Sequence, residues 1–419
     1  MGTGTFVRER PLVAPKRQEE AKARTISIDV PLLLTVIGLL VFGLVMLFSA
    51  SWDFSLAAYK NPMYMFNRQV LWMGLGLAVM FALSQLDYHH WRKLVLPAMA
   101  LTIVLLLVVL LASEVRFNVK RAVWEGSVQP SELAKLVSII YFVVWLFSKR
   151  DQLHKVQLGL LPLSVIMGIV GGLIYLQPDL SAAGTVLIMG GLLFFLAGGD
   201  LKQIAMLLLA ALVVGWMVVQ LSPTGQQRVG DFVTGIRDPM QASYHVRRSF
   251  EAIVNGGLLG VGVGRGQTKL LGLPVPPTDS IFAVVVEELG LLGAMILMGL
   301  YAMLVWRGMV IARRAPDMLG TLLASGLALW IGVEALINMA VMVGLMPFAG
   351  NALPFVSAGG SNLVTSLAAM GILLSVSRRK GIMVQEGDEW RSFGAVVDLR
   401  WRNRRRRVSG AGRSRSVAQ

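Results

Sequence analysis

Four short polar motifs stand at the ends of otherwise apolar segments, and they hold the residues of this chain best suited to chemistry. The motifs are Gln129-Pro130-Ser131-Glu132, Gln177-Pro178-Asp179-Leu180, Pro277-Thr278-Asp279 and the run 344–361, GLMPFAGNALPFVSAGGS. Charge next to hydrocarbon is costly, so acids at the ends of membrane helices are by default candidates for a working site. Gly359-Gly360-Ser361 also offers backbone N–H groups at a helix start, which suits an anion such as phosphate.

Each motif also has an explanation that involves no chemistry. Proline fits the first helical position and an acid in the first turn complements the helix dipole, so Glu132 and Asp179 could serve their helices alone. Lys135, one turn after Glu132, could simply pair with it as an i,i+3 neighbour. Asp279 could be no more than a cap for the helix that begins near Ser280. Gly359-Gly360-Ser361 could merely permit tight packing. The residues alone leave both kinds of role open.

Three further acids, Glu287, Glu288 and Glu334, fall inside apolar segments, where capping does not explain them. Adjacent Glu287 and Glu288 point about 100° apart on a helix, so we do not expect both to face one cavity. We expect one or both to hold the bundle together through internal hydrogen bonds.

Ten apolar segments must position these motifs. Mean hydropathy is +0.66, and 55% of the residues are hydrophobic while 15% are charged. Each segment has close to the roughly 20 residues that cross a bilayer core, and helices satisfy their own backbone there. The segments are 30–50, 69–85, 94–113, 132–148, 157–176, 180–197, 203–221, 280–305, 319–345 and 361–377. The sequence predicts an all-α polytopic membrane protein with about ten transmembrane helices.

Lysine and arginine placement predicts the orientation. The tail 1–29, alternate short loops and the tail 379–419 are basic, which makes their side cytoplasmic by the positive-inside rule, although loop 114–131 on the other side is basic too. The membrane domain is then 30–378. Its longest connection, 222–279, lies outside with the four motifs. Within that connection, an apolar stripe of Val246, Phe250, Ile253 and Val254 predicts a helix lying on the outer leaflet.

Several classes of function are excluded or unsupported. The chain has no cysteine, which excludes thiol nucleophiles and thiolate metal sites. Its four histidines show no HExxH spacing, there is no Walker A sequence, and the glycines at 260–266 do not form a dinucleotide fingerprint. The net charge of +15 is largely explained by orientation signals beside an anionic leaflet, and no nucleic-acid partner is expected.

The ordered set of motifs resembles the SEDS family (shape, elongation, division and sporulation), the FtsW/RodA/SpoVE polymerases of bacterial peptidoglycan. The resemblance covers about 30–378 and is closer to the division and sporulation branch. It is carried by QPSELAK at 129–135, QPDL at 177–180, SYHVRRSFEAIVNGGLLGVGVG at 243–264, LPVPPTDSIFAVVVEELG at 273–290 and the run 344–361. Departures from the usual family residues are Ser280 for phenylalanine, His245 for glutamine and Ala358 for tyrosine. An irregular Arg-Trp pair leaves Arg121 and Trp124 as its counterparts.

The resemblance implies a lipid II glycosyltransferase acting outside the cytoplasmic membrane. It would join lipid II to a second unit or to the nascent glycan strand through a β-1,4 bond, with loss of undecaprenyl pyrophosphate. The expected partner is a class B penicillin-binding transpeptidase. A divalent cation, magnesium or manganese, could bridge the pyrophosphate and a carboxylate.

The resemblance also assigns roles to residues. Asp279 matches the position of the catalytic base. Candidates for phosphate are Arg121, Lys135, Arg228 and the amides of Gly359, Gly360 and Ser361. Glu132, Asp179 and Glu288 are expected to position the site, and Trp124, Thr278 and Ser357 belong to the substrate-facing motifs. A lipid II flippase or a non-catalytic division scaffold are the alternatives, and the retained Asp279 favours the enzyme.

Overall fold

The structure, a computed structural model, describes residues 28–116, 129–157, 159–177 and 179–378. Within these ranges it consists of helices and their connections, with no strand. The helices are α1 (Val30–Tyr59), α2 (Tyr64–Gln85), α3 (Trp91–Arg116), α4 (Pro130–Ser148), α5 (Leu160–Leu176), α6 (Leu180–Leu196), α7 (Leu201–Leu221), α8 (Pro223–Arg237), α9 (Tyr244–Gly256), α10 (Ile281–Arg313), α11 (Met318–Met342) and α12 (Gly360–Arg378). Apart from Ile28 and Asp29, the two predicted basic tails lie outside the described residues.

Every predicted apolar segment coincides with a helix, namely α1 to α7 and α10 to α12. Eight helices in the described ranges are long and apolar enough to cross a membrane. The remaining two, α5 and α6, are apolar helices of 17 residues each, and the number of crossings stays a prediction. The connection 222–279 contains α8 and α9, and α9 is the predicted amphipathic helix. The all-α membrane fold is therefore confirmed.

The core lies among α4, α10, α11 and α12. In α12, 89% of the most apolar stretch is buried, because this helix packs against α2, α4 and α11. In α7 none of that stretch is buried, since the helix packs only beside α6 and α8 and turns leucine, valine and methionine side chains outward. Such an apolar exterior suits hydrocarbon rather than water.

Helix α10 is broken at Gly290, where φ is 68° and ψ is −168°. A glycine-rich loop completes the hydrogen bonds that the break interrupts. The N–H groups of Val261 and Gly262 donate to the carbonyls of Glu287 and Glu288 at 3.0 and 2.9 Å, and Leu291 N–H donates back to Gly257 O at 3.0 Å. Because hydrocarbon offers no hydrogen bonds, a broken helix needs such internal partners.

The carboxylates of Glu287 and Glu288 both reach this same loop, and the prediction that they do not both face one cavity stays a prediction. Glu287 accepts from the backbone N–H of Thr268 at 3.0 Å, while Glu288 accepts from Gly264 N–H at 3.0 Å. The loop wraps around the end of the first part of α10, before Gly290. Gly266 allows the loop to approach the two carboxylates, because a Cβ there would be 2.9 Å from Glu287 Oε2 and 3.1 Å from Glu288 Oε1. The internal hydrogen bonds expected of these acids are present.

Replacement of Gly290 by alanine should destabilise the protein strongly. A Cβ at this position would stand 2.4 Å from Gly260 N and Leu258 O, and the backbone conformation alone costs a residue with a side chain about 1–3 kcal/mol. The measurement is the thermal unfolding midpoint in detergent. Gly299→Ala is the matched control in the same helix, because a Cβ there meets nothing within 4 Å. Equal midpoints for the two variants would contradict the role of the break.

Candidate functional site

The first two polar motifs meet the start of α12 at one end of the bundle. Gln129 donates its backbone N–H to Ser361 Oγ at 3.2 Å and its side-chain amide to Asp179 Oδ2 at 2.6 Å. Asn362 donates to Glu132 Oε2 at 3.0 Å. Residues far apart in sequence are thus joined directly, and the predicted clustering of these motifs is confirmed.

The Thr278-Asp279 segment joins the same end through α11 and the 344–361 run. Ser357 Oγ donates to Thr278 O at 2.6 Å and accepts from Leu353 N–H at 2.8 Å. Asn338 of α11, which is buried, donates its amide to Asp279 O at 3.0 Å. The backbone on both sides of the Asp279 side chain is therefore fixed by buried hydrogen bonds.

The Asp279 carboxylate itself is half-buried and lies against the backbone of Gly350. Gly350 has φ of 58°, and a Cβ there would be 3.4 Å from Asp279 Oδ2. A glycine leaves this side of the carboxylate uncrowded. A partly exposed acid on a rigid backbone has the access and the fixed geometry that a general base requires.

Asp179 connects two helices rather than facing open space. It caps α6 by accepting from Ala182 N–H at 3.1 Å and from Ser181 Oγ at 3.0 Å. Its other oxygen accepts from Ser131 Oγ at 2.9 Å, besides Gln129. The cap and the link to α4 together fit the positioning role expected for this acid.

Lys135 is buried between two carboxylates, and its predicted role toward phosphate stays a prediction. Its side chain is 1% exposed and pairs with Glu132 at 2.9 Å and with Glu334 of α11, whose side chain is completely buried. The i,i+3 pair with Glu132 is the structural alternative foreseen from the sequence. The second carboxylate explains the inward orientation, because a buried lysine between two acids is compensated more fully than one beside a single acid.

The start of α12 is already engaged at its first amide. Gly359 N–H donates to Gln69 Oε1 at 3.2 Å, and the Gln69 amide donates to Ser357 O at 3.1 Å. Gly360 lies against the Trp72 ring, where a Cβ would be 2.5 Å from the indole nitrogen. Close packing is thus one reason for glycine at 360. An anion role for the segment Gly359, Gly360 and Ser361 stays a prediction.

Arg228 lies on α8 beside the 344–350 segment. Its guanidinium carbon is 5.6 Å from the centre of the Phe348 ring, and His245 of α9 stacks on that ring with centroids 4.1 Å apart. A small cavity of about 30 Å³ opens here, lined in part by Arg228, Phe348 and Phe250. Burial lowers the pKa of His245 and the positive charge of Arg228 lowers it further.

The remaining predicted residues divide into two groups. Arg121 and Trp124 lie outside the described residues. Glu288 belongs to the cluster at the α10 break, where it accepts from Ser49 Oγ at 2.6 Å and pairs with Lys269 at 2.7 Å. Its contribution is to the broken helix that begins just after Asp279, rather than to the carboxylate itself.

Sequence reasoning missed the two amide side chains that hold the site, Asn338 and Gln69. Both are polar residues within apolar segments, and both are buried. Polar residues inside membrane segments generally have a partner or a function, and that signal could have marked them.

Lys135→Met should destabilise the protein by about 3–5 kcal/mol, because it leaves Glu132 and Glu334 buried without their cation. The double variant Lys135→Met/Glu334→Gln should recover part of the loss, since it removes one of the uncompensated charges. Thermal unfolding in detergent measures both. Lys155→Met, at an exposed position, is the control and should be neutral. An unchanged unfolding midpoint in Lys135→Met would contradict the proposed pairing of Lys135 with Glu132 and Glu334.

Comparison with known proteins gives a consistent family. The family model described as a cell cycle protein, FtsW/RodA/SpoVE, matches residues 30–381. One relative is the probable peptidoglycan glycosyltransferase FtsW of Geobacter metallireducens, 34% identical over 358 residues that cover 84% of this chain and 95% of the relative. Another is Stage V sporulation protein E of Bacillus subtilis, 34% identical over 359 residues, covering 84% and 97%.

Solved structures agree with the sequence relatives. The rod shape determining protein RodA of Thermus thermophilus is 26% identical, with a TM-score of 0.61 over 85% of this chain and 98% of its own. A chain from a structure described as "Structural coordination of polymerization and crosslinking by a peptidoglycan synthase complex" is 27% identical, with a TM-score of 0.68 over 84% and 98%. The family model covers most of the chain and its relatives align almost end to end, so the chain belongs to the FtsW/RodA/SpoVE family.

Proposed function

We propose that this protein is a peptidoglycan glycosyltransferase that polymerises lipid II at the outer face of the cytoplasmic membrane during cell division. The observation that carries the proposal is the Asp279 carboxylate, half-buried on a hydrogen-bonded backbone where the polar motifs meet. The relative from Geobacter metallireducens is named a probable peptidoglycan glycosyltransferase, which supports the same reaction here.

The reaction needs a proton acceptor more than it needs a nucleotide or a nucleophilic side chain. Lipid II already carries its leaving group. Asp279 takes the proton from the acceptor hydroxyl as that oxygen bonds to the anomeric carbon of the donor sugar. The bond from this carbon to the pyrophosphate oxygen breaks at the same centre, and undecaprenyl pyrophosphate leaves with the electron pair. The product is a β-1,4 bond to the growing glycan strand.

The departing pyrophosphate needs positive charge, and several residues are candidates to supply it. Lys135 is occupied by two buried carboxylates. Arg228 remains a candidate. It lies on the connection between α7 and α10, and its aromatic neighbour Phe348 borders the same space beside Gly350 as the Asp279 carboxylate. Arg121, Gly360 and Ser361 are further candidates from the family resemblance.

A divalent cation, magnesium or manganese, is a further proposal for the pyrophosphate. The described ranges of the chain contain no group of three or more histidine, aspartate or glutamate side chains that could hold a metal ion. Among the described residues there is thus no protein-held metal site, so a cation here would bind between the pyrophosphate and a single carboxylate.

The partner that we infer is a class B penicillin-binding transpeptidase. The similar chain from a peptidoglycan synthase complex comes from a structure concerned with polymerisation and crosslinking together. A polymerase that supplies glycan strands and a transpeptidase that crosslinks them act on consecutive products. We expect this chain to work within such a pair.

A lipid II flippase is the second candidate, and the broken α10 is the observation that favours it. Discontinuous helices and charged groups within the membrane, such as Lys135 and Glu334, are common in transporters. A flippase moves lipid II unchanged between leaflets, whereas a polymerase consumes it. The two functions therefore separate in detergent, where there are no leaflets.

Asp279→Asn should abolish glycan synthesis while leaving the fold intact, because an amide does not accept the hydroxyl proton. The assay supplies lipid II in detergent, with a class B transpeptidase present, and measures glycan chains and released undecaprenyl pyrophosphate. We expect a loss of at least about 100-fold, in line with general-base catalysis. Asp53→Asn, which changes an exposed carboxylate on α1, is the control and should keep the wild-type rate.

Two outcomes would contradict the assignment. Normal synthesis by folded Asp279→Asn protein would remove the base from this residue. Intact lipid II in detergent, combined with lipid II movement across liposomes containing this protein, would favour the flippase.

Single cysteines test the proposed orientation, and the native chain has no cysteine to add background. Gln226→Cys on α8 and Ala349→Cys beside the site should react with a membrane-impermeant thiol reagent in intact cells. Ala315→Cys, between α10 and α11, should react only after the membrane is opened. Labelling of position 315 from outside would place the site on the cytoplasmic side instead.

A further inference from the structure

Arg228, His245 and Phe348 form a contact group that we call the Phe348 cluster. The His245 ring stacks on Phe348 at an interplanar angle of 25°, and the Arg228 guanidinium approaches the same ring. The cluster joins α8, α9 and the 344–350 segment. Stacked aromatic and cation–π contacts of this kind hold a loop in place with little flexibility.

Phe348 precedes Gly350 by two positions in the sequence. The Phe348 cluster is therefore close to the segment that borders Asp279. A Cβ on Gly350 would be 3.8 Å from Phe348 Cε1 and 3.4 Å from Asp279 Oδ2. Phe348 and the Asp279 carboxylate therefore border the same small space beside Gly350. A shift of Phe348 changes the space beside the Asp279 carboxylate.

The surroundings of His245 suit a neutral imidazole. Its Nδ1 atom is buried, and no hydrogen-bond partner for it is found among the described residues. A protonated imidazole donates from both nitrogens, so protonation would bury a second N–H without an acceptor. The new charge would also face the cation Arg228.

The other charged groups near His245 lie on α9, on α8 and beside the short helix Pro239–Gln241. On α9 itself, Arg248 and Glu251 pair with each other, and Arg247 adds a further positive charge. Asp231 of α8 is half-buried and lines the same cavity as Arg228, but burial and Arg228 are the causes that lower the pKa of His245. In the short helix Pro239–Gln241, the adjacent Asp238 bonds to the backbone of Met240.

Helices α10 and α11 also pack against α9. Glu287 of α10 adjoins Gly256, which is about 16 Å along α9 from His245 at the helical rise per residue. From α11, Met342 packs on Ser249 of α9. Neither helix brings a carboxylate against the imidazole among these contacts.

We propose that His245 is a positioning residue for the Asp279 site and that it works only as the neutral imidazole. Neutral His245 stacks on Phe348 and keeps Gly350 against the carboxylate. Protonation repels Arg228, opens the Phe348 cluster and displaces the segment that borders Asp279. The inference rests on the glycosyltransferase activity proposed above, and it assigns to this enzyme a loss of rate in acid that originates at a residue other than the base.

The sign of the pH dependence follows from the direction of the shift. Burial and Arg228 lower the pKa of His245, so the folded protein binds this proton less readily than the unfolded chain. The contribution of the cluster to stability is complete above the ordinary histidine value of about 6.5 and is lost as pH falls through the lower folded value.

The test compares wild type with His245→Gln in the detergent assay between about pH 5 and 8, a range that spans ordinary histidine titration. Glutamine is the usual family residue at this position and carries no titrating group. Each rate is expressed relative to the same protein's own rate at pH 7.5. Once the pH falls below the titration of His245, wild type should lose rate relative to the variant by about tenfold per further pH unit, the slope of a single titration. His90→Gln, an exposed histidine at the other end of the bundle, should keep the wild-type profile.

Thermal unfolding of the same variants supplies a readout that needs no turnover. The wild-type midpoint should fall more than that of His245→Gln as the pH is lowered from 7.5 to 5.5. Equal pH profiles of rate, or a midpoint difference that does not change with pH, would overturn the role of His245. Absence of glycan synthesis in every variant at every pH would instead count against the proposed function, and the unfolding data would still decide the coupling.

Discussion

Hydrocarbon offers no hydrogen bonds, so this chain has to complete its polar pairing internally, and most of its architecture follows from that constraint. Where the chain is regular, helices satisfy it without further help. At Gly290 it is not regular, and the loop that follows α9 donates its own amides to the exposed carbonyls. Ser49 of α1 then donates a hydrogen bond to Glu288, the acid at the break, and Lys269 of the same loop neutralises it. Covering the break therefore uses two other parts of the chain, α1 and the loop after α9.

The same requirement explains why the site forms at one end of the bundle. Each helix end there leaves unpaired backbone groups, and acids and amides from neighbouring motifs pair with them. Asp179 caps α6 while it binds α4, and Asn338 holds the carbonyl of Asp279. Side chains that satisfy helix ends also fix the backbone that carries the reactive acid. Structural and functional roles are consequently shared by the same residues.

Local patterns in the sequence predict the helices and the convergence of their motifs well. Apolar runs of similar length identify the helical segments. The asymmetry in lysine and arginine between the loops predicts their orientation in the membrane. The partner of a buried charge is harder to predict, because Lys135 meets Glu334 from a helix almost two hundred positions away. Helical geometry likewise separates Glu287 from Glu288, but a loop that wraps around the helix end contacts both. Such pairings depend on how the helices pack, which periodicity does not encode.

Helix α7 has a consequence for how this sequence can change over evolutionary time. Of its side chains, Gln203 alone is fully buried, Ile204 and Leu207 are half-buried against the core, and most of the others face outward. Selection on such a segment acts on its length and hydrophobicity, and only weakly on the shape of any one side chain. Leucine, isoleucine, valine and methionine should interchange there almost freely among descendants. The sequence of the closely packed α12 is expected to change far more slowly. The two helices should therefore differ strongly in their rates of substitution.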